Sequence, residues 1–282
     1  MKTTSLAVAL AASVALPAMA TDLEVTHWWT SGGEAAAVAE LAKAFDASGD
    51  HWIDGAIAGS GGTARPIMIS RITGGDPMGA TQFNHGQQAQ ELVEAGLMQD
   101  LTAVAEAGNW RETINPIALL DACTIDGRIY CAPVNIHSPE WLWLNNSVYE
   151  NLGIPVPQNW DEFVASADQV RAAGIVPLAL GNQPWQSSLA FGAIQIAVAG
   201  IDAWRAVNVD KDMEVAAGPI FAEVFQAAAD ARELAVGSNV QDWNQATNMV
   251  ITGTAAAQIM GDWAQGEFAV AEKVAGVDYT CL

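Results

Sequence analysis

The sequence predicts an α/β protein of two lobes, and three observations predict it. Over the first hundred residues, strand-like alternation gives way to helical spacing three times in succession, the β-α-β-α-β-α order of a parallel sheet with helices on its faces. A hairpin signal, Ile125-Asp-Gly-Arg-Ile-Tyr-Cys-Ala-Pro133, then ends this part and passes into an extended stretch from Val134 to Asn145. Beyond it Trp160, Phe163, Val164, Ala167 and Val170 open a second α/β unit with a fresh helical stripe. No low-complexity segment divides the two, so residues 21–133 and 134–282 are expected as lobes joined by a crossover of strands.

Residues 1–20 have the form of a secretory leader: Lys2, an apolar run from Leu6 to Leu16, and Ala18-Met-Ala20, with cleavage expected after Ala20. The run is too short for a membrane span, so an exported, periplasmic product is expected. The chain holds 11 Lys and Arg against 32 Asp and Glu, a net charge of −21, and loss of Lys2 with the leader makes it one unit more negative. Such a field excludes nucleic acid and anionic membranes as partners. Hydrophobic residues at 51% are enough for large cores, and 11 Trp beside 7 Phe and 3 Tyr call for a use beyond filling them.

Leu23 and Val25 alternate with polar residues as a strand, and Val38, Leu41, Ala42 and Phe45 give one buried helix face ending at Ser48-Gly49. Trp28 and Trp29 therefore stand at the carboxyl end of the first strand, the edge where open α/β sheets bind ligands. Two indoles beside Glu34 suit a ligand with an apolar face and a rim of hydroxyls, which is a sugar. Two local readings compete. Neighbouring strand residues point to opposite faces, so one indole could be core. Ser31 and Glu34 also have the spacing of a capping box.

Trp52 to Ala58 reads as the second strand, followed by the turn Gly59-Ser-Gly-Gly-Thr-Ala64 and a helix through Ile67, Met68 and Ile72. Gly59-x-Gly61-x-x-Ala64 is like a dinucleotide fingerprint, but it does not follow the first strand and lacks the acid expected about twenty residues on. A glycine-rich turn facing a cleft is the better reading. Ala80 to Asn84 reads as a third strand, and a helix from Gln87 to Gly96 turns Leu92 and Val93 inward. Gln82 and Asn84 carry amides that both donate and accept, as sugar hydroxyls require, or they are satisfied polar groups at a strand end. Trp141 and Trp143 share one strand face by period two.

Three cysteines leave at least one without an intrachain partner. Cys123 and Cys131 flank the turn signal Asp126-Gly127 and are close enough for a local disulfide. A two-residue turn would pair 123 with 130, so the bridge is expected to need a different loop register. Cys281 is left over, and no cysteine has zinc-site spacing.

Five features in order then carry a resemblance: Trp28-Trp29 with Glu34; Gly75-Asp-Pro77 leading to Gln82; Val134-Asn-Ile-His137 leading to Leu142-Trp143-x-Asn145; Gln241-Asp-Trp243 opening a helix; and Met260-Gly-Asp-Trp263-Ala. Together they resemble the periplasmic sugar-binding proteins of ATP-binding-cassette (ABC) importers, extracellular solute-binding family 1, of the glucose/mannose type. The resemblance implies a two-lobed type II (Venus-flytrap) fold closing on a monosaccharide, permease subunits in the membrane as partners, a monomer, and neither enzymatic activity, cofactor nor metal. It assigns ligand binding to Trp28, Trp29, Glu34, Gln82, His137, Trp243, Asp262 and Trp263, with a structural histidine packed by a tryptophan as the other reading of His137 and a loop anchor as the reading of Trp185. Members of the family continue past the strand matching Val277 to Leu282, so the carboxy-terminal part is expected to be missing, as Cys281 also hints. Two alternatives stand beside it: the same fold holding an oligosaccharide, and an exported glycosidase, which would need two carboxyl groups about 5 to 10 Å apart.

Overall fold

The computed structural model describes residues 20–84 and 86–282. All of the expected leader except Ala20 lies outside them. At the centre of the first sheet is β1 (Asp22–His27), flanked by β2 (His51–Ala56) and β3 (Ala80–Thr81) in the order β2-β1-β3, all parallel. Parallel neighbours require crossovers, and these are α1 (Gly32–Asp46) and α2 (Ser60–Thr73). Short helices α3 (Gln90–Glu94), α4 (Thr102–Ala107), α5 (Trp110–Thr113) and α6 (Ala118–Asp121) lead to the hairpin of β4 (Thr124–Ile125) and β5 (Arg128–Ile129).

The chain then runs without regular structure to β6 (Trp141–Asn145), α7 (Asn146–Leu152), α8 (Trp160–Ala172), β7 (Val176–Ala179) and α9 (Pro184–Asn208). After α10 (Met213–Ala216) and α11 (Pro219–Leu234) come α12 (Trp243–Ile251), β8 (Ala255–Met260), α13 (Ala264–Val270) and β9 (Tyr279–Cys281). The second sheet has the order β7-β8-β6-β9, with β7 and β8 parallel and β6 antiparallel to both its neighbours. Every residue of β8 is buried, and its run of alanines keeps the covering helices close. One core face gathers Leu144, Tyr149, Phe163, Leu178 and Val224; the other gathers Trp143, Trp243, Met260, Phe268 and Tyr279. Asn145 ends β6 and caps α7 by accepting from the Val148 N–H at 3.0 Å, while its amide donates to the Val250 carbonyl at 2.6 Å.

Four expectations need correction. The α1 stripe is only partly inward: Val38 is buried, but Leu41 is 41% exposed, because the helix rests on α13 at its start and on Trp52 through Phe45 near its end. The second strand stops at Ala56, two residues early, as the Ile57 N–H makes its last bond to the His27 carbonyl. The third strand is two residues rather than five, because past Thr81 the ladder on β1 gives out: the Trp28 N–H is taken by the Gln82 side chain. The helix expected from Gln87 begins as a tight 3-10 turn, Gly86–Ala89, and α3 follows with Leu92 buried and Val93 half-buried.

The Cys123–Cys131 disulfide is present, but the expected change of loop register is not. Thr124 pairs with Ile129 and Ile125 with Arg128 around the two-residue turn, and the Tyr130 N–H donates to the Cys123 carbonyl. Asp126 and Gly127 both have positive φ, as a turn matched to strand twist demands. The bridge reaches diagonally across one residue, the two Cα atoms being 5.1 Å apart. Cys281 makes no disulfide among the described residues.

Candidate functional site

The expected site residues fall into two groups on facing parts of the molecule. In the first sheet the chain leaves β1 at His27, and Trp28 turns into the core with Ala64, Met68 and Leu92 at 9% exposure. The glycine-rich turn after β2 lies against its indole: a Cβ at Gly61 would come within 3.3 Å of the ring. Trp28 therefore serves the core, as one of the two readings allowed, while Trp29 stays half-buried beside it. Gln82 fixes this corner by accepting from the Trp28 N–H at 3.0 Å. Asn84 is exposed and its N–H is bonded by Gln88.

Glu34 acts first as a cap, accepting from the Ser31 N–H at 3.3 Å. Burial pushes its carboxyl above the usual glutamate value, the Ser31 and Thr30 donors pull the other way, and the nearby Glu267 charge adds to the rise. A raised value in the folded chain means that the stability tied to the proton is full below the ordinary glutamate range and is lost as pH rises through the higher folded value. Glu34→Gln keeps an acceptor for Ser31 and removes the buried charge. It is expected to melt a few degrees above the wild type at pH 7 and level with it below pH 4 in thermal scans followed by circular dichroism. A lower melting point at pH 7 would show that the carboxylate makes a stabilising contact stronger than its burial cost.

The second group is built on the β6 sheet. Where β8 ends, Met260-Gly-Asp-Trp turns into α13, and the Trp263 ring folds back over Gly261 so closely that no Cβ fits there. Trp263 meets Trp185 at 6.2 Å between ring centroids, Trp243 at 6.4 Å edge-on and His137 at 4.9 Å edge-on. Trp243 is the buried first residue of α12, set by Asp242, whose own N–H is bonded by Gln245 in a capping box. His137 comes from the extended chain before β6. Its Nδ1 lies 2.7 Å from Asp262 Oδ1 and its Nε2 lies 2.8 Å from the Asn135 amide nitrogen, which assigns the ring proton to Nδ1. Asp262 also accepts from the Ser138 N–H at 3.2 Å. Both ring nitrogens of His137 are thus held by protein groups, the structural reading, yet it and Asp262 stay 38% exposed.

Sequence reasoning missed the hub of this group. Gln183, buried ahead of α9, accepts from Trp185 Nε1 at 2.7 Å and donates to Asp242 at 2.7 Å. Trp185 is no loop anchor but lies in the first turn of α9. The available signal was Asn182-Gln-Pro-Trp, a proline at the first helical position directly after the carboxyl end of a strand. Two links tie the groups together: the Ser60 hydroxyl reaches Gln183 at 3.4 Å, and the Gly33 N–H donates to Glu267 at 2.8 Å. Trp143, by contrast, is core: it stacks on Phe268 at 5.4 Å and donates to the Met260 carbonyl at 2.9 Å. Among the described residues no group of three or more His, Cys, Asp or Glu is arranged to hold a metal ion.

Comparison with known proteins agrees with this architecture. A sequence 39% identical over 264 residues, 93% of this chain, is a probable sugar-binding periplasmic protein of Brucella melitensis, and the chain spans 62% of that relative's length. A solved structure from work on xylan utilisation by Caldanaerobius polysaccharolyticus superposes with a TM-score of 0.75 at 18% identity, over 93% of this chain and 67% of that one. The bacterial solute receptor AcbH, described as having an exclusive preference for β-D-galactopyranose, superposes with a TM-score of 0.72 at 20% identity, over 93% and 65%. At such identities the structures speak for the fold alone, the type II solute-binding fold. The family model for bacterial extracellular solute-binding proteins matches residues 29–280, and the chain belongs to that family.

Proposed function

We propose that this chain is the sugar-capturing component of an ABC importer, acting outside the cytoplasmic membrane and holding a glucose-like monosaccharide between two lobes, residues 21–133 and 134–282. The observation that carries the reading is the wall of Trp185, Trp243 and Trp263 with the His137–Asp262 pair at its edge, set opposite Trp29 and Gln82. Indole faces cover the C–H patches of a pyranose, and amide, imidazole and carboxylate groups replace the water on its hydroxyls. No bond is broken. Asp262 and Glu34 each already accept hydrogen bonds from protein N–H groups, the behaviour of binding rather than of acid–base residues. Each neutral hydrogen bond contributes about 0.5 to 1.5 kcal/mol net, so affinity needs several at once. A Kd near 1 μM, roughly −8 kcal/mol, is within reach of such a site.

Permease subunits in the membrane would receive the closed, loaded form of a monomer. Isothermal titration with glucose, mannose, galactose and xylose, beside maltotriose and chitobiose, tests the ligand class. Saturable binding of a hexose is the expected result. Binding of the oligosaccharides alone would replace the monosaccharide reading, for which three adjoining indoles also offer room, and binding of none would overturn the function.

A further inference from the structure

We propose that Gly33, Gly266 and Glu267 are positioning residues that set how long a sugar stays bound, by forming a clasp between α1 and α13; the sugar itself rests on the function proposed above. The two helices are the immediate continuations of the two aromatic groups. Gly32 starts α1 three residues after Trp29, and Ala264 starts α13 directly after Trp263. Whatever fixes the spacing of these helix starts therefore fixes the spacing of the walls.

At the contact the two backbones touch. A Cβ on Gly33 would lie 2.6 Å from the Gly266 Cα and 2.7 Å from its carbonyl carbon, and one on Gly266 would lie 3.0 Å from the Gly33 Cα. The obstacles are main-chain atoms, which no rotamer change moves, so a methyl group would have to part the helices. Neither glycine has positive φ, so local conformation does not demand glycine at either place. Helix propensity argues against it, since alanine would favour each helix by about 1 kcal/mol. Close approach is the remaining physical reason for both. Beside them Glu267 Oε1 accepts the Gly33 N–H at 2.8 Å across 234 residues of sequence, a charge-assisted bond to an otherwise unpaired donor in the first turn of α1.

Local and cross-lobe effects have opposite signs here, which makes the test clean. Gly33→Ala, Gly266→Ala, Glu267→Ala and Glu267→Gln would be compared in the whole chain. Stopped-flow tryptophan fluorescence with the hexose found by titration gives association and release rates, and thermal melting without sugar gives stability. Because affinity changes within one site fall mainly on release, the alanine variants at 33 and 266 should release about tenfold faster with association within about twofold. Their sugar-free melting points should be unchanged or higher. Glu267→Ala should release faster and Glu267→Gln, which retains an acceptor, should behave as the wild type. Wild-type release rates in both glycine variants would overturn the clasp, as would a loss of affinity matched by a loss of sugar-free stability.

If the wild type binds none of the sugars, the functional reading fails and the clasp is judged without ligand. Protection of the Gly33 amide from hydrogen exchange should then fall in Glu267→Ala, and the radius of gyration from small-angle scattering should rise in Gly266→Ala. Unchanged values of both would overturn the clasp by itself.

Discussion

Replacing Trp263 by alanine is expected to weaken hexose binding at least about a hundredfold while leaving the chain folded, since three aromatic contacts at about 0.5 to 1.5 kcal/mol each are lost together with a stacking face. Trp263 is the one ring that touches Trp185, Trp243 and His137 at once, so its removal dismantles the wall rather than thinning it. It is half-buried, unlike Trp243, and its loss opens space toward the seam instead of a sealed cavity. Trp263→Phe keeps a ring and should retain an intermediate affinity. Titration calorimetry beside a thermal melt checks the expectation. A Trp263→Ala protein that binds within fivefold of the wild type would move the site elsewhere in the molecule.

Trp143→Ala should do the reverse, costing stability of about 3 to 5 kcal/mol with little direct effect on the site. Trp143 is 3% exposed at the centre of the second sheet, stacked on Phe268 and tilted against Tyr279, with its indole N–H on the Met260 carbonyl. Truncation leaves a cavity where β6, β9 and α13 meet, and little can collapse into it because Phe268 and Tyr279 are already stacked on each other at 4.2 Å. Urea denaturation followed by far-ultraviolet circular dichroism measures the loss. A cost below about 1 kcal/mol would mean that the stack is not a main support of this core. Trp143→Phe should fall between, its cost dominated by the unpaired carbonyl, about 1 to 3 kcal/mol.

What was legible in the sequence followed from local rules. The switch from β1 to α1 and the face of α8 through Phe163, Ala167 and Val170 came from side-chain period, which the backbone obeys wherever one face is buried. What was not legible depended on partners far along the chain. Leu41 fits the α1 stripe, yet its exposure is decided by where α13 sits, more than two hundred residues later. The pairing of His137 with Asp262 spans 125 residues and follows from no spacing; only the resemblance placed both near a ligand. Gln183 looked like an ordinary loop amide, because a hub is defined by what converges on it. Glu34 was the opposite case, a residue with a ligand-like address whose local capping geometry was also correctly readable.

The hairpin bridge bears on how the protein is made. A crosslink spanning eight residues restrains only its own small loop in the denatured chain, a contribution of about 2 to 3 kcal/mol confined to the ground around Ala105, Leu120 and Ile129. Neither aromatic group leans on it. Chain produced in a reducing cytosol should therefore retain its wall of indoles while the hairpin frays, and its yield would suffer less from the missing bond than from the wrong one. Three free thiols would then be present together on reoxidation, and a bridge from the hairpin to Cys281 would staple the first half of the polypeptide to the edge strand of the second sheet. Serine at position 281 removes that trap without touching either wall.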